Sequence, residues 1–349
     1  MKLWMPYIVP FIRSNNPRYE YHFSMTYLIT GASGFIGSHL INLIREEDKD
    51  SRIVALDIVK NAHEGKAEYV YCDVRNEITL DYEPCADDVI FNLAAVHRTP
   101  GHPDFEYFET NIRGAENVCD FARKHGIKRI VFTSSIAPYG AAEDAKEETT
   151  LPTPNTPYGI SKFVAEKIHE MWAAEDKERQ LTIVRPGVVF GLGENGNFTR
   201  LYNGLNSRKF VYPGRKDTIK ACIYVKDLVG FMMYKLENHG CGVERYNCTF
   251  EPAFTIEQIV ETMKCVSGMK RFVPLIPSWV LMPAAAVIGF FGAPMGICPA
   301  RVRKLMISTN IVGKKMQASG YKFKYTLSEA IQDWIKDSGG NGVRGNGVK

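Results

Sequence analysis

A tyrosine and a lysine four residues apart, in Pro157-Tyr158-Gly159-Ile160-Ser161-Lys162, are the residues of this chain best suited to moving a proton. On a helix that spacing sets both side chains on one face, where the ammonium favours the phenolate and lowers a phenol pKa from about 10 towards neutrality. Tyr158 is then a general acid or base. The same spacing occurs again at Tyr212 and Lys216, but Pro213-Gly214 lies inside it and forbids a helix. A surface tyrosine and lysine would show this spacing too. What sets the first pair apart is its setting: the preceding strand ends in Ser134-Ser135, and Phe163, Val164, Ile168, Met171 and Trp172 make Ser161 to Ala174 an amphipathic helix.

A proton-transfer group needs a partner reaction, and the stretch Tyr27-Leu28-Ile29-Thr30-Gly31-Ala32-Ser33-Gly34-Phe35-Ile36-Gly37 supplies the setting for one. A short apolar strand meets three glycines spaced three apart, and an amphipathic stretch to Arg45 follows. Gly31 and Gly34 let backbone N–H groups approach a pyrophosphate, Gly37 lets the helix lie close on the strand, and the helix start adds a positive dipole end. Among 29 glycines in 349 residues the triplet arises by chance about 0.2 times. A second copy, at Gly339, Gly342 and Gly345, has neither a strand before it nor a helix after it.

Arg52-Ile53-Val54-Ala55-Leu56-Asp57 reads as the next buried strand, ending in an acid twenty residues beyond Gly37. At that distance a carboxylate accepts hydrogen bonds from ribose hydroxyls and repels a 2′-phosphate, so Asp57 favours NAD over NADP. Further strands are expected at Tyr69 to Val74, Asp88 to Ala95 and Ile130 to Ser135, with a helix from about Glu109 to His125 that Gly126 stops. Small Ala94 and Ala95 at a strand end leave room for a cofactor. An acidic, threonine- and proline-rich loop is expected over 141–157. Five strands alternating with helices predict an α/β fold with a doubly wound parallel sheet of Rossmann type.

The composition, 45% hydrophobic and 23% charged, fits one large or two closely joined α/β domains. A net charge of +4 without a basic run gives no footing for nucleic-acid binding. Eight cysteines without C-x-x-C or Cys/His spacing point to reduced thiols in a cytoplasmic protein and to no metal site. Residues 1–24 read as a disordered extension or a misassigned start, with Met25 just before the first strand; no signal-peptide cleavage site follows the apolar opening. Phe272 to Ala300 carries no charged side chain. Its prolines and glycines break it into pieces too short for a membrane span. A hydrophobic helix near Ala284 to Phe291 capping a pocket is the favoured reading, and a peripheral membrane contact through 272–300 the competing one.

Taken together these motifs resemble the extended short-chain dehydrogenase/reductases, in particular the nucleotide-sugar epimerases and reductases, from about Met25 to Ile335. The resemblance makes Gly31, Ser33, Gly34, Phe35, Ile36 and Gly37 the cofactor loop, Asp57 the ribose acid, Asp73 and Val74 the adenine-side contact, and Leu93, Ala94 and Ala95 the strand end along the cofactor. It places Asn111 with Gly114 in the helix motif behind that strand end, and Pro186 and Val188 beside the nicotinamide. It assigns Ser135, Tyr158 and Lys162 as catalytic, with Tyr158 and Lys162 also touching cofactor. For the substrate it points to Asn197 and Phe198, where the family grips the nucleotide; Arg215 and Lys220 are candidate diphosphate partners. The implied organisation is a dinucleotide-binding domain over 25–180 and a mixed remainder over 181–336. That remainder returns strands to the sheet and holds a substrate lobe at about 190–220 and 270–310; 337–349 is a disordered tail.

The function implied is NAD-dependent oxidation and reduction of a nucleoside-diphosphate sugar in polysaccharide biosynthesis, as a 4-epimerase or a 4-keto-sugar reductase, by a homodimer built on the helices after Glu109 and Tyr158. Where the 4,6-dehydratases carry an Asp-Glu pair this chain has Ile136-Ala137, which disfavours dehydration. Where epimerases usually carry Asn it has Val188, which moves weight towards a reductase. The alternatives are an apolar or hydroxysteroid-like carbonyl substrate, and a non-catalytic NAD-binding module.

Overall fold

The computed structural model describes residues 25–60, 63, 65–97, 101–240, 242–283 and 305–339. The expected leader, the helix at Ala284 to Phe291 and most of the tail lie outside them. In chain order the elements are β1 (Thr26–Thr30), α1 (Phe35–Glu47), β2 (Arg52–Asp57), β3 (Glu68–Tyr71), β4 (Val89–Asn92), α2 (Asp104–Lys124), β5 (Arg129–Thr133), β6 (Ala142–Lys146), α3 (Pro157–Ala174) and β7 (Gln180–Pro186). There follow β8 (Val188–Phe190), α4 (Asn197–Asn206), β9 (Tyr212–Pro213), β10 (Ile219–Lys220), β11 (Cys222–Tyr224), α5 (Val225–Glu237) and β12 (Val243–Cys248). The chain closes with β13 (Phe254–Thr255), α6 (Ile256–Val266), β14 (Leu275–Ile276), β15 (Thr309–Ile311), α7 (Lys314–Ala318) and α8 (Leu327–Asp337).

Seven parallel strands form one sheet in the order β12-β7-β5-β4-β1-β2-β3. The alternation along β2 shows why it is covered on both faces. Ile53 and Ala55 join a core with Leu40, Ile41 and Ile44 of α1 and Phe231 and Met232 of α5, whereas Val54 and Leu56 join another with Val118 and Ala122 of α2 and Trp172 of α3. The strand order reverses between β1 and β4, which is where open α/β sheets bind ligands. Both the glycine loop after Thr30 and the segment after Asn92 leave the sheet at that crevice.

Capping explains how α3 starts. Thr156 accepts a hydrogen bond from the Gly159 N–H and Pro157 fills the first helical position, so the helix begins four residues before the amphipathic pattern does. α2 likewise starts at Asp104, earlier than the expected Glu109, with Asp104 and Glu106 in its first turn.

Past the sheet a third core gathers Phe190, Phe198, Tyr202, Tyr212, Tyr224 and Trp334 from β8, α4, β9, β11 and α8. The acidic loop expected over 141–157 contains a strand. β6 pairs with β15 in a four-stranded sheet ordered β13-β10-β15-β6, and Ser308 N–H donates to Glu143 beside that pairing.

Candidate active site

The cradle is built from close approaches. Gly31 has φ +68, and a Cβ there would stand 2.7 Å from the Ala94 backbone nitrogen; a Cβ on Gly37 would meet the carbonyl oxygens of Gly31 and Ala32 at 2.6 Å. Only glycine lets β1, the segment after β4 and the start of α1 meet this tightly. A Cβ on Gly34 would meet nothing nearer than the Gly31 carbonyl oxygen at 3.1 Å. Gly34 caps α1 without a side-chain hydrogen bond, and no acid stands in the first turn, so the amides of Phe35, Ile36 and Gly37 are offered to an anion. Asp57 braces the loop, its carboxylate accepting from Ser33 N–H at 2.9 Å and Val59 N–H at 3.0 Å. These residues fit a dinucleotide: N–H donors for a pyrophosphate and a strand-end carboxylate for a ribose.

Two of the other expected cofactor contacts are engaged within the protein. Asp73 is held by Arg75 at 2.6 Å, and that guanidinium keeps its carboxyl below the usual range, while Val74 lies against Gly114. Asn111 is buried and works as a strut: its amide accepts from Val96 N–H and donates to the Val96 carbonyl and the Ser161 hydroxyl, which itself donates to the Tyr158 carbonyl. Leu93 N–H donates to the Thr30 carbonyl, placing Leu93, Ala94 and Ala95 beside the glycine loop. Pro186 accepts from Ile136 N–H at 3.2 Å, stitching the end of β7 to the turn carrying Ser135, and Val188 opens β8 next to it.

Two of the three catalytic candidates, Ser135 and Tyr158, stand side by side. Ser135 is near enough to the Tyr158 phenol to act on its pKa, and the Ser135 oxygen accepts from Ala137 N–H at 3.1 Å, which fixes its position. Burial pushes the Tyr158 phenol up, and Ser135 pulls it back down. Lys162 is buried on the same helix. Its ammonium lies 4.7 Å over the Phe132 ring, and burial pushes its pKa down to about 7, with Glu166 opposing.

Behind that pair lies a buried network that the sequence reading missed. Glu166 forms a two-point ion pair with Arg185 at 2.8 and 2.5 Å and accepts from Ser134 at 2.5 Å. Arg185 donates in turn to Tyr139 Oη, which donates to Asn247. His169 sits between the Ala165 carbonyl at 2.7 Å and the Asn92 side chain at 3.1 Å, stacked on Phe132, and burial pushes it down to about 4. It is therefore neutral, with Nδ1–H donating to Ala165 and Nε2 accepting from Asn92. The signal was present. Tyr158, Lys162, Glu166 and His169 recur at four, four and three residues, a polar stripe along the buried side of an otherwise apolar helix.

The substrate candidates fare differently. Phe198, expected to stack on a base, is 4% exposed and stacks on Phe190 at 4.3 Å with Trp334 at its edge; this apolar side chain is core, which overturns the expectation. Arg215 spends its charge on Asp217 at 2.7 Å and Glu143 at 3.1 Å, so it offers no open donor fork for a diphosphate here. Lys220 donates to the Ile307 carbonyl at 2.6 Å, and burial pushes it down to about 8. Asn197 is exposed at the first position of α4.

Residues 27–249 match the family described as "NAD dependent epimerase/dehydratase family". The N-acetyl-alpha-D-glucosaminyl-diphospho-ditrans,octacis-undecaprenol 4-epimerase of Escherichia coli O157:H7 is 32% identical over 314 residues, 87% of this chain and 92% of that one. The UDP-glucose 4-epimerase of Bacillus subtilis (strain 168) is 25% identical over 281 residues, 70% of this chain and 83% of its own. Among solved structures, MoeE5 in complex with UDP-glucuronic acid and NAD superposes with a TM-score of 0.69 at 24% identity, over 90% of this chain and 99% of that one.

Proposed function

The chain belongs to the NAD-dependent epimerase/dehydratase family, and from that premise we propose that it is a 4-epimerase of a hexose carried on a diphosphate. The carrying observation is the glycine cradle built for a pyrophosphate, together with Tyr158 standing next to Ser135. Gly31, Gly34, Phe35, Ile36 and Gly37 would hold the cofactor diphosphate, Asp57 its adenosine ribose, and Lys162 the nicotinamide ribose, with Asp73, Val74, Leu93, Ala94, Ala95, Pro186 and Val188 lining its path. When bound, NAD supplies a reversible two-electron acceptor beside the sugar carbon. Tyr158 takes the hydroxyl proton as that carbon becomes a ketone and returns it when the ketone is reduced from its other face. Ser135 holds the same oxygen throughout, so the reacting atom stays within reach of the phenol.

The named relatives are epimerases, which supports inversion over net reduction and outweighs Val188. A panel of UDP-hexoses and UDP-N-acetylhexosamines tests it: isomers should form without consumption of NADH. Stoichiometric NADH consumption on a 4-keto sugar, without isomer formation, would make the chain a reductase.

A second reading concerns only the carrier. With Phe198 closed into the core, the expected base-stacking group is missing, and the Escherichia coli relative is named for a polyprenyl diphosphate sugar. The same epimerisation on that lipid belongs to glycan assembly at a membrane face, with peripheral contact through 272–300. No helix among the described residues is long and apolar enough to cross a membrane. A cytoplasmic homodimer joined through α2 and α3 is supported by free cysteines and by exposed Phe105 and Met171 on those helices.

A further inference from the structure

We propose that the β9/β14 lobe is a docking surface for an anionic phospholipid bilayer. Two segments build it, and neither contains a carboxylate. From Thr262 to Pro283 the chain has Lys264, Lys270 and Arg271 but no Asp or Glu. At this chain's overall composition a stretch of that length would hold about two acids. From Asn195 to Lys216 there are five Lys and Arg and again no acid. The fold brings the two together: β14 pairs with β9 in parallel, Arg271 donates to the Asn206 carbonyl, and Gly214 packs against Ser278 and Met306. The acids that reach this lobe from outside are already paired, Glu257 with Lys216, Glu261 with Lys264, and Glu143 and Asp217 with Arg215.

On this basic ground stand large apolar side chains that no other described residue covers. Phe272 is 85% exposed and Trp279 77%, and Leu275, Val280 and Leu305 are exposed beside them. Arg208, Lys209 and Lys270 are exposed at the same edge. A protein partner would ordinarily be met with charges of both signs. One sign of charge around exposed Trp and Phe is instead the chemistry of the membrane interface, where aromatic rings enter the headgroup layer and lysines and arginines meet anionic lipid. The inference rests on the lipid-carried form of the proposed function for its purpose: docking would hold the lobe against the leaflet that carries the substrate.

The test is co-sedimentation of the full chain with vesicles of phosphatidylcholine alone or mixed with phosphatidylglycerol. Binding is expected to the mixed vesicles only, reversed by high salt. The double variant F272S/W279S should bind roughly tenfold less. R208Q/K209Q/K270Q provides a second variant with no apolar change and should lose the response to phosphatidylglycerol. Both should bind NAD with the affinity of the unmodified chain. Absence of vesicle binding, binding by both variants equal to that of the unmodified chain, or retention on RNA in place of vesicles overturns the proposal. Vesicle binding is read without turnover, so a chain that docks but epimerises nothing disproves the proposed function and leaves docking standing.

Discussion

Two tyrosine–lysine pairs with identical spacing lie in this chain, and only one is placed to do chemistry. Tyr158 and Lys162 lie on α3, with Tyr158 next to Ser135, just beyond the end of β5. Tyr212 lies in β9, 1% exposed, its hydroxyl without a hydrogen-bond partner among the described residues, and Lys216 lies 5.0 Å over its ring while pairing with Glu257. The spacing is the same and the surroundings differ. A four-residue interval carries function only where a helix converts it into a shared face and the fold aims that face at a reacting partner.

The sharpest way to break the comparison is to remove one oxygen from each pair. Tyr158→Phe should lower kcat by about 10²–10⁴-fold, measured as isomer formation, with NAD affinity unchanged. Tyr212→Phe should leave kcat within about twofold, because the lost hydroxyl does no hydrogen bonding. Equal losses in the two variants would remove the acid/base assignment.

Next come the carboxylates behind each lysine. Glu166→Gln leaves Arg185 buried beside a neutral partner and should cost about 3–5 kcal/mol in urea unfolding. Glu257→Gln, at an exposed pair, should cost less than about 1 kcal/mol.

The lysines should also part in their pH dependence. Burial holds Lys162 near 7 in the cofactor-free chain, below its ordinary 10.5. Between those values the unfolded chain binds a proton that the folded chain does not, so this group makes stability rise with pH across that window. Lys162→Met should flatten the rise in unfolding midpoint from pH 7 to 9.5, and Lys216→Met should leave it in place. The smallest effect is expected at the cradle. Asp57→Asn should improve NADP affinity relative to NAD, read by fluorescence titration, by removing the repulsion of a 2′-phosphate.

The cradle and the sheet were legible because they obey local rules. Strand, glycines and helix follow one another within Tyr27 to Arg45, and β2 alternates between two apolar cores. β6 was not legible, since Ala142-Glu143-Asp144-Ala145-Lys146 has the composition of a loop and becomes a strand only by pairing with β15, more than 160 residues on. Phe198 failed for a related reason: an apolar ring after a glycine-rich turn reads equally as ligand contact or as core, and only Trp334 of α8, closing over it, decides. Ser135, Tyr158 and Lys162 were identified through resemblance and spacing. Glu166 and His169 were overlooked because their partners, Arg185 and Asn92, come from other strands.

Those two partners bear on how such a protein can change. α3 is tethered to β4 through His169 and Asn92 and to β7 through Glu166 and Arg185, so the rod bearing the phenol is registered against two strands of the sheet at once. A new substrate cannot be accommodated by tilting this rod without breaking a neutral imidazole contact and an enclosed ion pair together. The room for diversification therefore lies in the segments after β8, which can be rebuilt around a reaction centre that stays where it is.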